Sequence, residues 1–125
     1  MTLLLDAGAL IAFERGDAVV KQLLAQEFAR GRTWTTHGGI VGQVWRASAR
    51  QAGLARVLRA TNVIPLGTSL GRDAGRLLAA SGTTDVIDAA LVAIAADGDR
   101  IATSDPADIR VLLDAAHVGA EIVRI

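Results

Sequence analysis

Short apolar runs alternate along this chain with longer stretches in which apolar residues recur every three or four positions. Residues 2–5, Thr2-Leu3-Leu4-Leu5, read as a strand closed by Asp6. Residues 7–14 predict a short helix stopped near Gly16, and Asp17 caps a second one carrying Val20, Leu24 and Phe28 to about Arg30. Thr33-Trp34-Thr35-Thr36 is β-rich and is broken by His37-Gly38-Gly39. A helix is predicted over 40–49, with Ile40, Val44 and Ala47 on one face, and Gly53 separates it from another over 54–60. Residues 62–66 predict a strand in which Pro65, with no N–H to give to a ladder, marks either the strand's end or a sheet edge. Thr68 or Ser69 is the expected cap of the helix bearing Leu70, Ala74, Leu77 and Leu78.

The stretch 83–105 organises the rest. Ile87, Leu91 and Ile94 form one helical stripe, and Gly98 is placed to end that helix in a left-handed conformation. Residues 100–104 are then a strand, Asp105-Pro106 opens a helix over 106–116, and 121–125 alternate like a half-buried edge strand. Strands alternating with helices predict an α/β fold: a three-layer α/β/α sandwich with a central parallel sheet. In such a sheet every strand-to-helix junction lies along one carboxyl edge, where ligands bind.

Length and composition narrow the class. The 125 residues are enough for one domain with one core, and no apolar run approaches the roughly 18 residues of a membrane span. Asp6 interrupts the first apolar run, so no secretory signal is expected. The absence of cysteine excludes disulfides and thiolate metal sites and fits a cytoplasmic protein. Thirteen basic and thirteen acidic residues cancel, which argues against a general electrostatic grip on nucleic acid. All basic side chains except Lys21 are arginine, the side chain suited to bidentate phosphate and carboxylate.

Four acids fall at the predicted edge: Asp6, Asp85, Asp88 and Asp105. Each reads singly as a helix-cap or first-turn acid, with Asp108 in the capping-box position after Asp105. Brought together, they would raise one another's electrostatic energy unless a cation neutralised them. An all-oxygen set without His or Cys suits Mg²⁺ or Mn²⁺.

Leu3-Leu4-Leu5-Asp6-Ala7, Val44-Trp45-Arg46, Thr84-Asp85-Val86-Ile87-Asp88-Ala89 and Ala102-Thr103-Ser104-Asp105 occur in a characteristic order and spacing. Through them nearly the whole chain resembles the PIN-domain ribonucleases of the VapC toxin type. The resemblance implies a single PIN-like domain over 1–125, with Asp6, Asp88 and Asp105 as ligands of Mg²⁺ or Mn²⁺. Thr103 or Ser104 would support the strand-end acid by hydrogen bonding. It further implies metal-dependent cleavage of RNA, a homodimer and a cognate VapB-type antitoxin.

The pattern is broken at one place. Such nucleases carry a glutamate in the helix after the second strand, and the matching position here is Gln43. Its amide oxygen can ligate a cation without adding charge; either Asp85 supplies that charge, or the site binds metal weakly, or catalysis has been lost. A non-catalytic module that binds RNA or a protein is therefore the competing function. A phospho-acceptor receiver would need a late-strand lysine, a dehalogenase-like phosphatase an Asp at position 8, and a dinucleotide fold its glycine fingerprint; none is present. Trp34 and Trp45 are expected in core or interface, and His37 and His117 on solvated loops. Arg46 and Arg50, four apart on the predicted helix, form either a phosphate or antitoxin contact or a solvated face.

Overall fold

Leu3, Leu4 and Leu5 are at most 1% exposed and form β1 (Leu3–Leu5) in a computed structural model that describes Met1 to Ile125. A strand covered on both faces has no solvent side, so its residues are apolar without alternation. β1 pairs with β2 (Trp34–His37) on one side and β4 (Arg100–Thr103) on the other. β3 (Asn62–Ile64) and β5 (Glu121–Arg124) are the edges, giving the order β3-β2-β1-β4-β5. Every pairing is parallel. The carboxyl ends therefore share one edge, and the strand order reverses between β1 and β4, where a crevice forms.

Two helical layers cover the sheet, as the alternation of strands and helices predicts. On one face α1 (Ala7–Glu14) packs with α2 (Ala18–Ala29), α3 (Gly38–Val44) and α4 (Ala52–Ala60). On the other, α5 (Thr68–Ser81), α6 (Val86–Ala93) and α7 (Pro106–Ala116) pack on one another. None of these helices is long and apolar enough to cross a membrane.

Several local expectations are corrected by side chains arriving from elsewhere. The helix predicted over 40–49 stops at Val44. Gln51, 4% exposed, donates Nε2–H to the Val44 carbonyl at 2.8 Å and accepts the Arg46 N–H on Oε1 at 2.9 Å. This buried amide satisfies a helix end and turns the chain, with Ala47 at φ 56°. Arg50 then lies in a 3₁₀ turn (Ala49–Gln51), so Arg46 and Arg50 do not share a helix face. Gly53 sits inside α4, and Gly67 rather than Thr68 or Ser69 precedes α5 without a side-chain cap. α6 ends at Ala93, before Gly98. There Asp99 accepts the Ala96 N–H on Oδ2 at 2.9 Å and the Thr2 N–H on Oδ1 at 2.8 Å, drawing the chain into β4.

At the opposite end of the sheet Glu27, 1% exposed, lies between the guanidinium groups of Arg32 (3.0 Å) and Arg100. This ties the end of α2 to the first residue of β4. Removing the acid strands two partly buried cations. Glu27→Ala is expected to cost about 3 kcal/mol, the low end for a broken buried pair because Arg32 reaches solvent. Urea unfolding of the two proteins checks it; a loss under about 1 kcal/mol would rule the triad out as a stabilising element.

Candidate metal centre

The carboxyl ends of β1 and β4 meet because Leu5 is in register with Ala102, and the Asp6 N–H donates to the Ala102 carbonyl at 3.2 Å. Asp6 is 5% exposed. Its Oδ1 accepts the Ala9 N–H at 2.7 Å, capping α1, and its Oδ2 accepts the Ser104 N–H at 3.2 Å across the strands. Burial raises its pKa, opposed by the Thr103 side chain and those two N–H groups. Gly8 keeps this corner compact, since a methyl group there would collide with Ser104 Oγ.

Asp85 and Asp105 occupy equivalent N-cap positions and behave differently. Asp85 Oδ1 accepts the Ile87 and Asp88 N–H groups, each at 3.0 Å, and so fixes the first turn of α6. Asp105 precedes Pro106 at the start of α7 but accepts no cap hydrogen bond. A capping box would give the Asp105 N–H to Asp108. Instead that N–H donates to Thr103 Oγ1 at 2.9 Å, leaving the Asp105 and Asp108 carboxylates free of the expected box.

Asp88, Asp105 and Asp108 are thereby brought together, and each offers an oxygen within 4.8 Å of the others. Burial first, then the charges of Asp85, Asp6, Asp105 and Asp108, push the Asp88 pKa from an ordinary 3.8 to about 7. Four carboxylates thus act on a fifth, and no basic side chain is paired with any of them. A cavity of about 230 Å³ beside them is lined by Thr83, Thr84, Asp85, Asp88 and Asp108. The donors are all hard oxygens, their mutual repulsion is unrelieved, and the space is open, which fits a divalent cation.

No protein-family model matches the chain, and no curated protein matches its sequence. A solved structure does. VapBC2 from Rickettsia felis, crystallised bound to a DNA fragment from their promoter, contains a chain that matches this one with a TM-score of 0.69. The match covers 98% of this chain and 99% of that one at 13% identity. The fold is PIN-like.

Within this PIN-like frame the remaining expected site residues are spread out. Thr103 contacts both strand-end acids, through its side chain to Asp6 and as acceptor of the Asp105 N–H. Ser104 contributes its backbone N–H to Asp6. Gln43 lies exposed on α3, and Arg46 is turned onto its own segment, donating to the Gly42 and Trp45 carbonyls at 3.1 and 2.7 Å. Trp34 is core, 6% exposed, donating Nε1–H to Thr61 Oγ1 at 2.8 Å, whereas Trp45 is 38% exposed. His117 is exposed as expected, but His37 is not on a solvated loop: it ends β2 and is 0% exposed. Asp108 was legible only as a capping acid; its three-residue spacing from Asp105, the spacing of Asp85 and Asp88, was the available signal.

The proton affinity of Asp88 has a stability consequence. The folded chain holds this proton to about pH 7, while the unfolded chain releases it near 3.8. Between those values the folded state binds more protons, so its stability falls as pH rises. In the absence of metal, the melting temperature should decline from pH 5 to pH 8, and Asp88→Asn should flatten that decline. An unchanged slope in Asp88→Asn would show that the carboxyl is not strained.

Proposed function

We propose that this chain is a metal-dependent endoribonuclease that hydrolyses RNA phosphodiesters and acts as the toxin of a toxin–antitoxin pair. The observation that carries the reading is the convergence of Asp6, Asp85, Asp88, Asp105 and Asp108 at the carboxyl edge of a PIN-like fold with no cation of the protein to neutralise them. Asp88 and Asp105 hold Mg²⁺ or Mn²⁺, with Asp6 behind them and Asp108 as a further carboxylate within reach. Bound there, the ion supplies charge to a phosphodiester and makes water more acidic.

The chain's own groups prepare that chemistry. Asp85 fixes the first turn of α6 through Oδ1, which accepts two N–H groups, and adds its negative charge beside Asp88. Thr103 holds Asp6 and the Asp105 backbone in one frame. The cavity of about 230 Å³ gives a nucleotide room beside Asp88. A VapB-type antitoxin and a homodimer belong to the same proposal. The antitoxin is supported by the fold shared with a chain of VapBC2, and the homodimer by exposed apolar side chains such as Phe28 (78%) and Val19 (59%).

Gln43 favours a second reading, a PIN-like module that binds RNA or a protein without cutting. One assay separates them: purified protein and structured RNAs with Mn²⁺ or Mg²⁺, and with EDTA. The nuclease reading expects cleavage with metal and none with chelator. Asp88→Asn should slow cleavage by about 100-fold or more, since even groups that only orient ligands carry about 10–100-fold effects. Asp17→Asn, altering a cap on α2, is the unchanged control. RNA bound but left intact in Mn²⁺ would instead support the binding module.

A further inference from the structure

His37 is a fully buried polar side chain with both ring nitrogens engaged. Nδ1 accepts the Gly39 N–H at 3.1 Å and so caps α3. A ring nitrogen that accepts carries no proton, so the proton of the neutral imidazole is on Nε2. Nε2–H then donates to the Ile87 carbonyl at 2.8 Å. Burial lowers the His37 pKa, which keeps the ring in this neutral form.

That carbonyl belongs to the peptide linking Ile87 to Asp88. The N–H of the same peptide donates to Asp85 Oδ1 at 3.0 Å. The peptide unit that carries Asp88 is therefore held at both poles, by Asp85 at its hydrogen and by His37 at its oxygen. Packing closes the same contact: a Cβ on Gly39 would lie 2.6 Å from Ile87 Cδ1 and 2.9 Å from His37 Cε1. A side chain at position 39 would have to displace the Ile87 methyl and the His37 ring. His37 ends β2 and caps α3, so this one ring ties the β2–α3 junction to the first turn of α6.

We infer that His37 is a positioning residue of the metal centre, holding the Asp88 backbone, and through it the carboxylate, at the separation from Asp105 that a cation requires. The inference rests on the metal-dependent reading above. Two substitutions divide the ring's roles. His37→Asn keeps an acceptor where Nδ1 was, and asparagine is a preferred cap, but it is too short for Ile87. His37→Gln places an N–H near the position of Nε2 and gives up the cap.

The test is calorimetric titration of the full chain with Mn²⁺, with metal-free melting curves and hydrogen exchange at the Asp88 amide. His37→Asn should bind Mn²⁺ about tenfold more weakly, the low end of what orienting groups contribute. His37→Gln should bind like the parent protein even where its melting temperature is lower. Affinity would then follow the Ile87 bond, not stability. Equal affinities in all three proteins, or affinities that rank with melting temperature, would overturn the role. If the parent protein takes up no Mn²⁺, the metal reading fails by itself and exchange at Asp88 decides the clamp. Faster exchange in His37→Asn than in the parent and His37→Gln supports it, and equal exchange refutes it.

Discussion

The parallel register of β1 against β4 is the constraint on which this molecule depends. With Leu5 opposite Ala102, Asp6 and the Thr103-Ser104-Asp105 corner leave the sheet side by side. A shift by one residue would turn the apolar run of β1 against the wrong neighbours and separate the acids. The leucines of β1 and the neighbouring Ile101 and Ala102 are excluded from water, so their burial enforces that register. The same burial then obliges several carboxylates to share a poorly solvated corner. Hydrophobic free energy is, in effect, spent on holding like charges together.

The chain handles buried acid in two ways. At the amino edge of the sheet Glu27 is flanked by Arg32 and Arg100, and Asp99 accepts two backbone N–H groups. Those acids are satisfied and structural. At the carboxyl edge no arginine answers Asp88, whose proton is held to about pH 7. The zero net charge conceals this separation. No acid lies between Glu27 and Asp73, a span containing β2, α3, α4 and β3, while Arg100 alone interrupts the acids from Asp85 to Asp108. Along the chain an acid-free, arginine-rich stretch from residue 28 to residue 72 is thus set apart from the acid-rich stretch 85–108 that reaches the carboxyl edge. A neutral composition therefore says less about anionic ligands than it does when charges are mixed evenly.

Cap chemistry shows how the same residue type acquires different roles. Asp17 and Asp85 bond to the N–H groups that follow them, as their sequence context predicts. Asp105 has the strongest cap signature of all, an aspartate before proline, and makes no such bond. Thr103 accepts the Asp105 N–H that Asp108 would take in a capping box, and Asp108 instead lies with Asp88 and Asp105.

By itself the sequence determined the succession of strands and helices, the α/β/α layering, the edge character of the strand holding Glu121, and the gathering of Asp6, Asp88 and Asp105 along one edge. These follow from periodicity, caps and the direction of parallel strands, all of which are set by residues close in sequence. Tertiary structure alone decided the end of α3 at Val44, the burial of His37, the addition of Asp108 and the exposure of Gln43. In the first three cases the deciding partner is remote or bends the chain out of its local pattern: Gln51 for Val44, Ile87 for His37, Asp88 for Asp108. A polar group's role depends on who satisfies it, and no spacing rule reports a hydrogen bond or a repulsion made between elements that only the fold brings together.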